Sequence, residues 1–112
     1  MDHKNQKVQS DRCTVAVIGG GFTGATLTAQ LLRDADASLS VVLIEPRPSL
    51  GRGVAYGTPC AQHLLNVPAR NMSALAEDPL HFLRWAQRHF GNSVQGSDFL
   101  PRRAYGAYVE SV

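Results

Sequence analysis

The chain has 112 residues, 44% of them hydrophobic and 18% charged, a globular composition for at most one domain and neither a disordered nor a collagenous one. A formal charge of only +2, from 11 basic residues scattered among 9 acidic ones, argues against nucleic acid and polybasic membrane contact as partners. Cys13 and Cys60 stand far apart without a CxxC pair or regularly spaced histidines, so neither a disulfide framework nor a zinc site is expected.

The opening "MDHKNQKVQSDR" is polar throughout and reads as a flexible tail over residues 1–12, without the apolar centre of a secretory signal. No later run approaches the roughly 18 apolar residues of a membrane span. A cytoplasmic location is the expectation. Structure should begin at "CTVAVI", β-branched or apolar at nearly every position, which suits a parallel strand covered on both faces. Four glycines within six residues end that run. Ala25, Thr28, Ala29 and Leu32 then share one helical face with Leu27 and Leu31 beside it, which predicts a helix of about three turns. "LSVVLIE" predicts a second strand, closed by Glu45 and stopped by Pro46 and Pro48.

Beyond Pro48, residues 49–75 show little periodicity and read as a long excursion with short turns. Asp78 and Pro79 predict an N-cap and first helical residue; Leu83, Ala86 and Phe90 keep helical spacing with Phe82 and Trp85 alongside, and Gly91 supplies a stop. A final helix is expected after Pro101. The fold class that emerges is α/β, a Rossmann-like dinucleotide-binding β-α-β unit followed by a loop and a helical segment. Two legible strands are few for an open parallel sheet, and the expectation is an incomplete domain, the N-terminal piece of something longer.

Gly19, Gly21 and Gly24 satisfy G-x-G-x-x-G between a strand and a helix. The first glycine permits the tight turn, the second lets a pyrophosphate approach the backbone, and the third lets the helix lie close on the strand. With Gly20 between them, unpaired amides near Phe22, Thr23 and Gly24 should face the phosphates, where the helix dipole favours negative charge. A bare structural turn is the plainer reading of the glycines. Glu45, 26 residues beyond Gly19, favours the nucleotide: at the end of the second strand a carboxylate can accept hydrogen bonds from both ribose hydroxyls of an adenosine. Standing alone it would be an ordinary exposed strand-end carboxylate. It also disfavours a 2′-phosphate, although Arg47 lies close enough to leave NADP open.

"VAVIGGGFTGATLTAQLL", "VVLIEPRPSLGRGVAYGT", "HLLNVPARNMSAL", "DPLHFLRWA" and "FLPRRAYGAYV" together resemble the amino-terminal part of the FAD/NAD(P)-binding flavoprotein family. That family includes FAD-dependent urate hydroxylase-type proteins and is distantly similar to N-hydroxylating monooxygenases. The resemblance spans residues 13–112 and is most specific in "GRGVAYGT" and "LNVPA". It implies the N-terminal portion of an FAD/NAD(P)-binding domain, with FAD held through Gly19, Gly21, Gly24 and Glu45 and with NAD(P)H as co-substrate of a longer protein. The activity it implies is a monooxygenase-like oxidoreductase acting on a small molecule.

Arg52 is either a charged donor to a phosphate or a solvated loop arginine. Asn66 and Arg70 bracket "VPA", where they would meet a flavin edge or merely satisfy local turns. His63 and His81 have no acid partner or nucleophile at readable spacing, so packed or surface roles are expected. Phe82, Trp85 and Phe90 read as a core stripe. Arg102 and Arg103 read as solvated, with a domain contact as the second reading. No catalytic residue is assigned. Two rival readings remain: an NAD-dependent enzyme with the same glycine turn, and a non-catalytic remnant of a flavoprotein.

Overall fold

The computed structural model describes residues 12–112, so residues 1–11 of the expected polar tail lie outside the described part. The strand β1 (Cys13–Ile18) and the strand β2 (Leu39–Ile44) pair in parallel, with Cys13 opposite Leu39 and Ile18 opposite Ile44. Helix α1 (Phe22–Asp34) connects them, so the expected β-α-β unit is present. The β-branched run stops where Gly19 takes φ +94°, a conformation that an L side chain rarely adopts. Gly19 N–H still donates to Ile44 O at 2.9 Å, carrying the ladder one residue past the strand.

Val15 and Val17 pair with Val41 and Leu43, and these four, with Leu39, are the better-covered residues of the two strands. The opposite face is not covered by any described residue: Ile18 is 84% exposed, and Val42 and Ile44 are exposed as well. This corrects the expectation of strands covered on both faces, since one helix serves a two-stranded sheet and shields only one side of it. α1 has no fully buried residue. Thr26 and Thr28 donate their hydroxyls back to Phe22 O and Gly24 O, at 2.8 Å each, so these polar groups are satisfied within the helix.

The packed core lies in the second half. Helices α2 (Gly53–Tyr56), α3 (His81–Phe90) and α4 (Arg102–Ser111), with a single 3-10 turn at Ala69–Asn71, surround it. Phe82, Tyr105 and Tyr108 are its largest fully buried side chains. Their rings meet edge-on or tilted, Phe82 lying 5.0 Å from Tyr105 and 4.9 Å from Tyr108 between centroids, geometries that suit aromatic quadrupoles. The Tyr108 hydroxyl also accepts from Ala74 N–H at 3.1 Å and bonds His81 Nδ1 at 2.8 Å. His81 is thereby a packed residue, as expected.

The long excursion after Pro48 is pinned. Leu65 N–H donates to Leu100 O, Ala69 N–H to Asp98 O, Arg70 N–H to Gly96 O and Arg102 N–H to His63 O, all between 2.8 and 3.0 Å. Arg102 also donates its Nε to Leu64 O, so it clasps this segment. α3 begins two residues later than Asp78 and Pro79 suggest: Leu80 is its N-cap, and the Asp78 carboxylate pairs with Arg84 instead. Gly91 ends the helix as expected, at φ +102°, with its N–H on Gln87 O. Phe82, Trp85 and Ala86 are buried as the stripe predicts, but Phe90 is 53% exposed: at the last residue of α3 its ring passes the edge of the core.

Candidate functional site

The glycine turn sits at the carboxyl ends of the strands, between β1 and α1. A Cβ on Gly24 would lie 1.7 Å from Gly19 O, so the absence of a side chain there is what lets α1 start against the turn. Gly20 is closed in by Glu45, whose Cβ would lie 2.8 Å from a Cβ on Gly20. Gly21 is different. It is the N-cap of α1 at φ −71° and caps with no side chain, and a Cβ there would meet the Gly53 backbone at ordinary contact distances, Cα at 3.5 Å and N at 3.9 Å.

Among the described residues, none accepts the N–H groups of Gly21, Phe22, Thr23 or Gly24, while Gly21 O receives Ala25 N–H at 2.9 Å. The first turn of α1 carries no acidic residue. Four unpaired donors at the positive end of a helix dipole make a place for an anion. They open on a groove of about 440 Å³. Its near wall includes Gly19, Gly21, Thr23 and Gly24, and its far wall includes Gly53 and Val54.

Glu45, half-buried at the end of β2, accepts from Gly20 N–H on Oε2 at 2.6 Å and from Arg47 N–H on Oε1 at 3.0 Å. The Arg47 amide first, and the Gly20 amide next, hold its carboxyl below the usual carboxylate range. A carboxylate offers about four acceptor positions, so the charged group keeps lone pairs for two further donors. That suits a ribose diol. The donors, the glycine cradle and the carboxylate thus fit the diphosphate and adenosine ribose of a dinucleotide.

Phe22 also lines the groove. Its ring packs into the core, 5.9 Å from Tyr105 and 6.1 Å from Tyr56 between centroids, and so anchors the start of α1 to α2 and α4. Arg52 lines the groove, but its guanidinium pairs with Glu110 at 2.9 Å and donates to Arg103 O at 3.3 Å. It ties α4 to the start of α2. Asn66 is exposed and is not among the groove-lining residues, so the structure does not bring it to the glycine turn. Arg70 is likewise exposed. His63 bonds Thr58 Oγ1 at 2.8 Å.

Sequence reasoning missed how the second glycine cluster serves the site. Gly51 N–H donates to Gly20 O at 2.6 Å, and a Cβ on Gly53 would lie 3.3 Å from Gly21 Cα. Two glycine-containing bends therefore touch backbone to backbone. The repeat of glycine on either side of Arg52 was the available signal. No helix among the described residues is long and apolar enough to cross a membrane.

The chain is 35% identical over 85 residues to the FAD-dependent oxidoreductase domain-containing protein 1 homolog of Drosophila melanogaster, covering 73% of this chain and 16% of that protein. It is 58% identical over 33 residues to the sulfide dehydrogenase [flavocytochrome c] flavoprotein chain of Chlorobaculum thiosulfatiphilum, covering 30% of this chain and 67% of the relative's sequence. The chain thus spans about a sixth of the length of the Drosophila protein. No solved structure gives a significant match. The profile of the FAD-NAD(P)-binding family matches residues 16–112; with the glycine turn and Glu45 in the arrangement described, the chain belongs to that family, and FAD is its cofactor.

Proposed function

We propose that this chain is the FAD-binding part of a flavoprotein oxidoreductase of monooxygenase-like type, cytoplasmic, with NAD(P)H as its reductant. The observation that carries the proposal is the side-chain-free start of α1: four unpaired N–H groups beside a glycine cradle, with a charged carboxylate at the neighbouring strand end. The N–H groups of Gly21, Phe22, Thr23 and Gly24 hold the diphosphate. Glu45 accepts the ribose hydroxyls while Gly20 and Arg47 keep it oriented and ionised. FAD held there would supply the redox chemistry, with these residues binding and orienting it. Arg52 fixes the far wall of the groove through Glu110 and is a positioning residue.

The test is direct binding. Chain incubated with FAD and desalted should retain flavin absorbance near ~450 nm and melt at a higher temperature than without it, because a ligand that binds only the folded state stabilises it. Gly21→Val, which places a branched side chain in the groove, should abolish both effects while leaving the far-ultraviolet circular dichroism unchanged. Retention of FAD by that variant would remove the diphosphate cradle from the proposal. Stabilisation by NAD⁺ and not by FAD would favour an NAD-dependent enzyme, since Glu45 suits the adenosine ribose of either.

A further inference from the structure

A second groove, of about 760 Å³, shares only Arg52 with the glycine groove. Its volume lies in the range of small-molecule sites, which are largely apolar with a few placed polar groups. Phe90, Leu100, Pro101 and Ala107 supply apolar wall, and its charged lining residues are Arg52 and Arg103.

The two arginines are not equivalent. Arg52 is neutralised by Glu110. Arg103, on α4 as Glu110 is, has no carboxylate or other side-chain acceptor among the described residues; its backbone carbonyl accepts from Arg52. The lining therefore carries one uncompensated positive charge beside a largely apolar wall. Phe90 belongs to that wall, although its position on α3 predicts a core residue: it is 53% exposed, while Trp85, edge-on at 5.9 Å, is 7% exposed. A guanidinium matches a carboxylate in charge and bidentate geometry.

We propose that this groove binds a small amphiphilic carboxylate, with its apolar body over Phe90 and Leu100 and its carboxylate paired with the Arg103 guanidinium. The proposal is independent of flavin binding, since no residue assigned to the diphosphate or ribose lines this groove.

Octanoate is the probe, titrated into the full chain without added flavin and followed by calorimetry and by the emission of Trp85, the single tryptophan. Saturable binding of one octanoate per chain is expected, with octanol and octylamine at least about tenfold weaker, the factor that a lost charge-assisted hydrogen bond implies. Arg103→Gln should reduce octanoate to the level of octanol, and Arg103→Lys should keep part of the preference for the anion. Phe90→Ser should weaken all three probes. Val42→Ser, at the exposed sheet face, should leave the titration unchanged, and all four variants should keep the parent melting temperature within a few degrees. Equal affinity for octylamine, an unchanged titration in Arg103→Gln, equal loss in Val42→Ser, or no saturation at millimolar octanoate would each overturn the proposal. So would a dimer in sedimentation whose formation removes the response, because the groove would then hold a second copy of the chain.

Discussion

Replacing Gly24 by alanine tests the reading of the glycine turn as a backbone contact. The added methyl carbon would lie 1.7 Å from Gly19 O and 2.9 Å from its carbonyl carbon. A carbon and a carbonyl oxygen in close contact stand about 3.3 Å or more apart, so α1 and the turn would have to separate by more than an ångström. Gly19 cannot retreat freely, because its N–H is held by Ile44 O and the next amide by Glu45. Overpacking of this kind costs about 1 to 3 kcal/mol, and a clash against backbone belongs at the upper end. Alanine regains about 1 kcal/mol of helix propensity, leaving a net loss of about 2 kcal/mol. Gly21→Ala is the control: its methyl carbon would meet Gly53 Cα at an ordinary 3.5 Å, on a backbone at φ −71°, so stability should change by less than about 0.5 kcal/mol. Urea unfolding followed by circular dichroism reads both. A Gly24→Ala midpoint equal to that of the parent, or a Gly21→Ala loss as large as that of Gly24→Ala, would refute the reasoning.

Glu45→Gln should weaken FAD binding by about tenfold, as loss of charge-assisted hydrogen bonds predicts, measured by flavin fluorescence titration. Because the Arg47 and Gly20 amides lower the Glu45 pKa, its contribution to stability is present above the unfolded carboxylate value of about 4.3 and is lost as pH falls through the lowered folded value; Glu45→Gln should flatten that acid limb. Tyr105 shifts the other way. Burial first, with Tyr56 and Tyr108 adding to it, raises its phenol well above the ordinary value, so its contribution is intact below about pH 10 and lost as pH climbs toward the raised value. Alkaline unfolding should therefore be less steep in Tyr105→Phe. Tyr108→Phe leaves Ala74 N–H and His81 Nδ1 without their partner in the core and should cost about 1 to 3 kcal/mol by denaturant unfolding.

The β-α-β unit was legible because its signals are local. β-branched runs, a change of period and a glycine string each act within a few residues, and so does Gly91 at the end of α3. Coverage of the strands was not legible, since it depends on which other elements lie against them; Val15 and Val17 are sheltered and Ile18 is not, though all three read alike. Residues 49–75 lacked periodicity because their order comes from distant backbone partners such as Leu100 and Asp98. Arg52 read as either a phosphate donor or a solvated loop arginine because Glu110, 58 residues away, was out of view. Asp78 illustrates a local competition: the same carboxylate suits a helix cap or a pair with Arg84, and the ion pair prevails.

The burial pattern divides the molecule into unequal foldons. The tyrosine and phenylalanine rings concentrate on α3 and α4, whereas α1, thirteen residues long, has no fully buried side chain. Amide protons of β1, α1 and β2 should therefore exchange with solvent through subglobal openings well before those of the tyrosine-bearing helix. The half proposed to grip the diphosphate would then be the half that breathes, and occupancy by the nucleotide would slow that breathing by mass action alone.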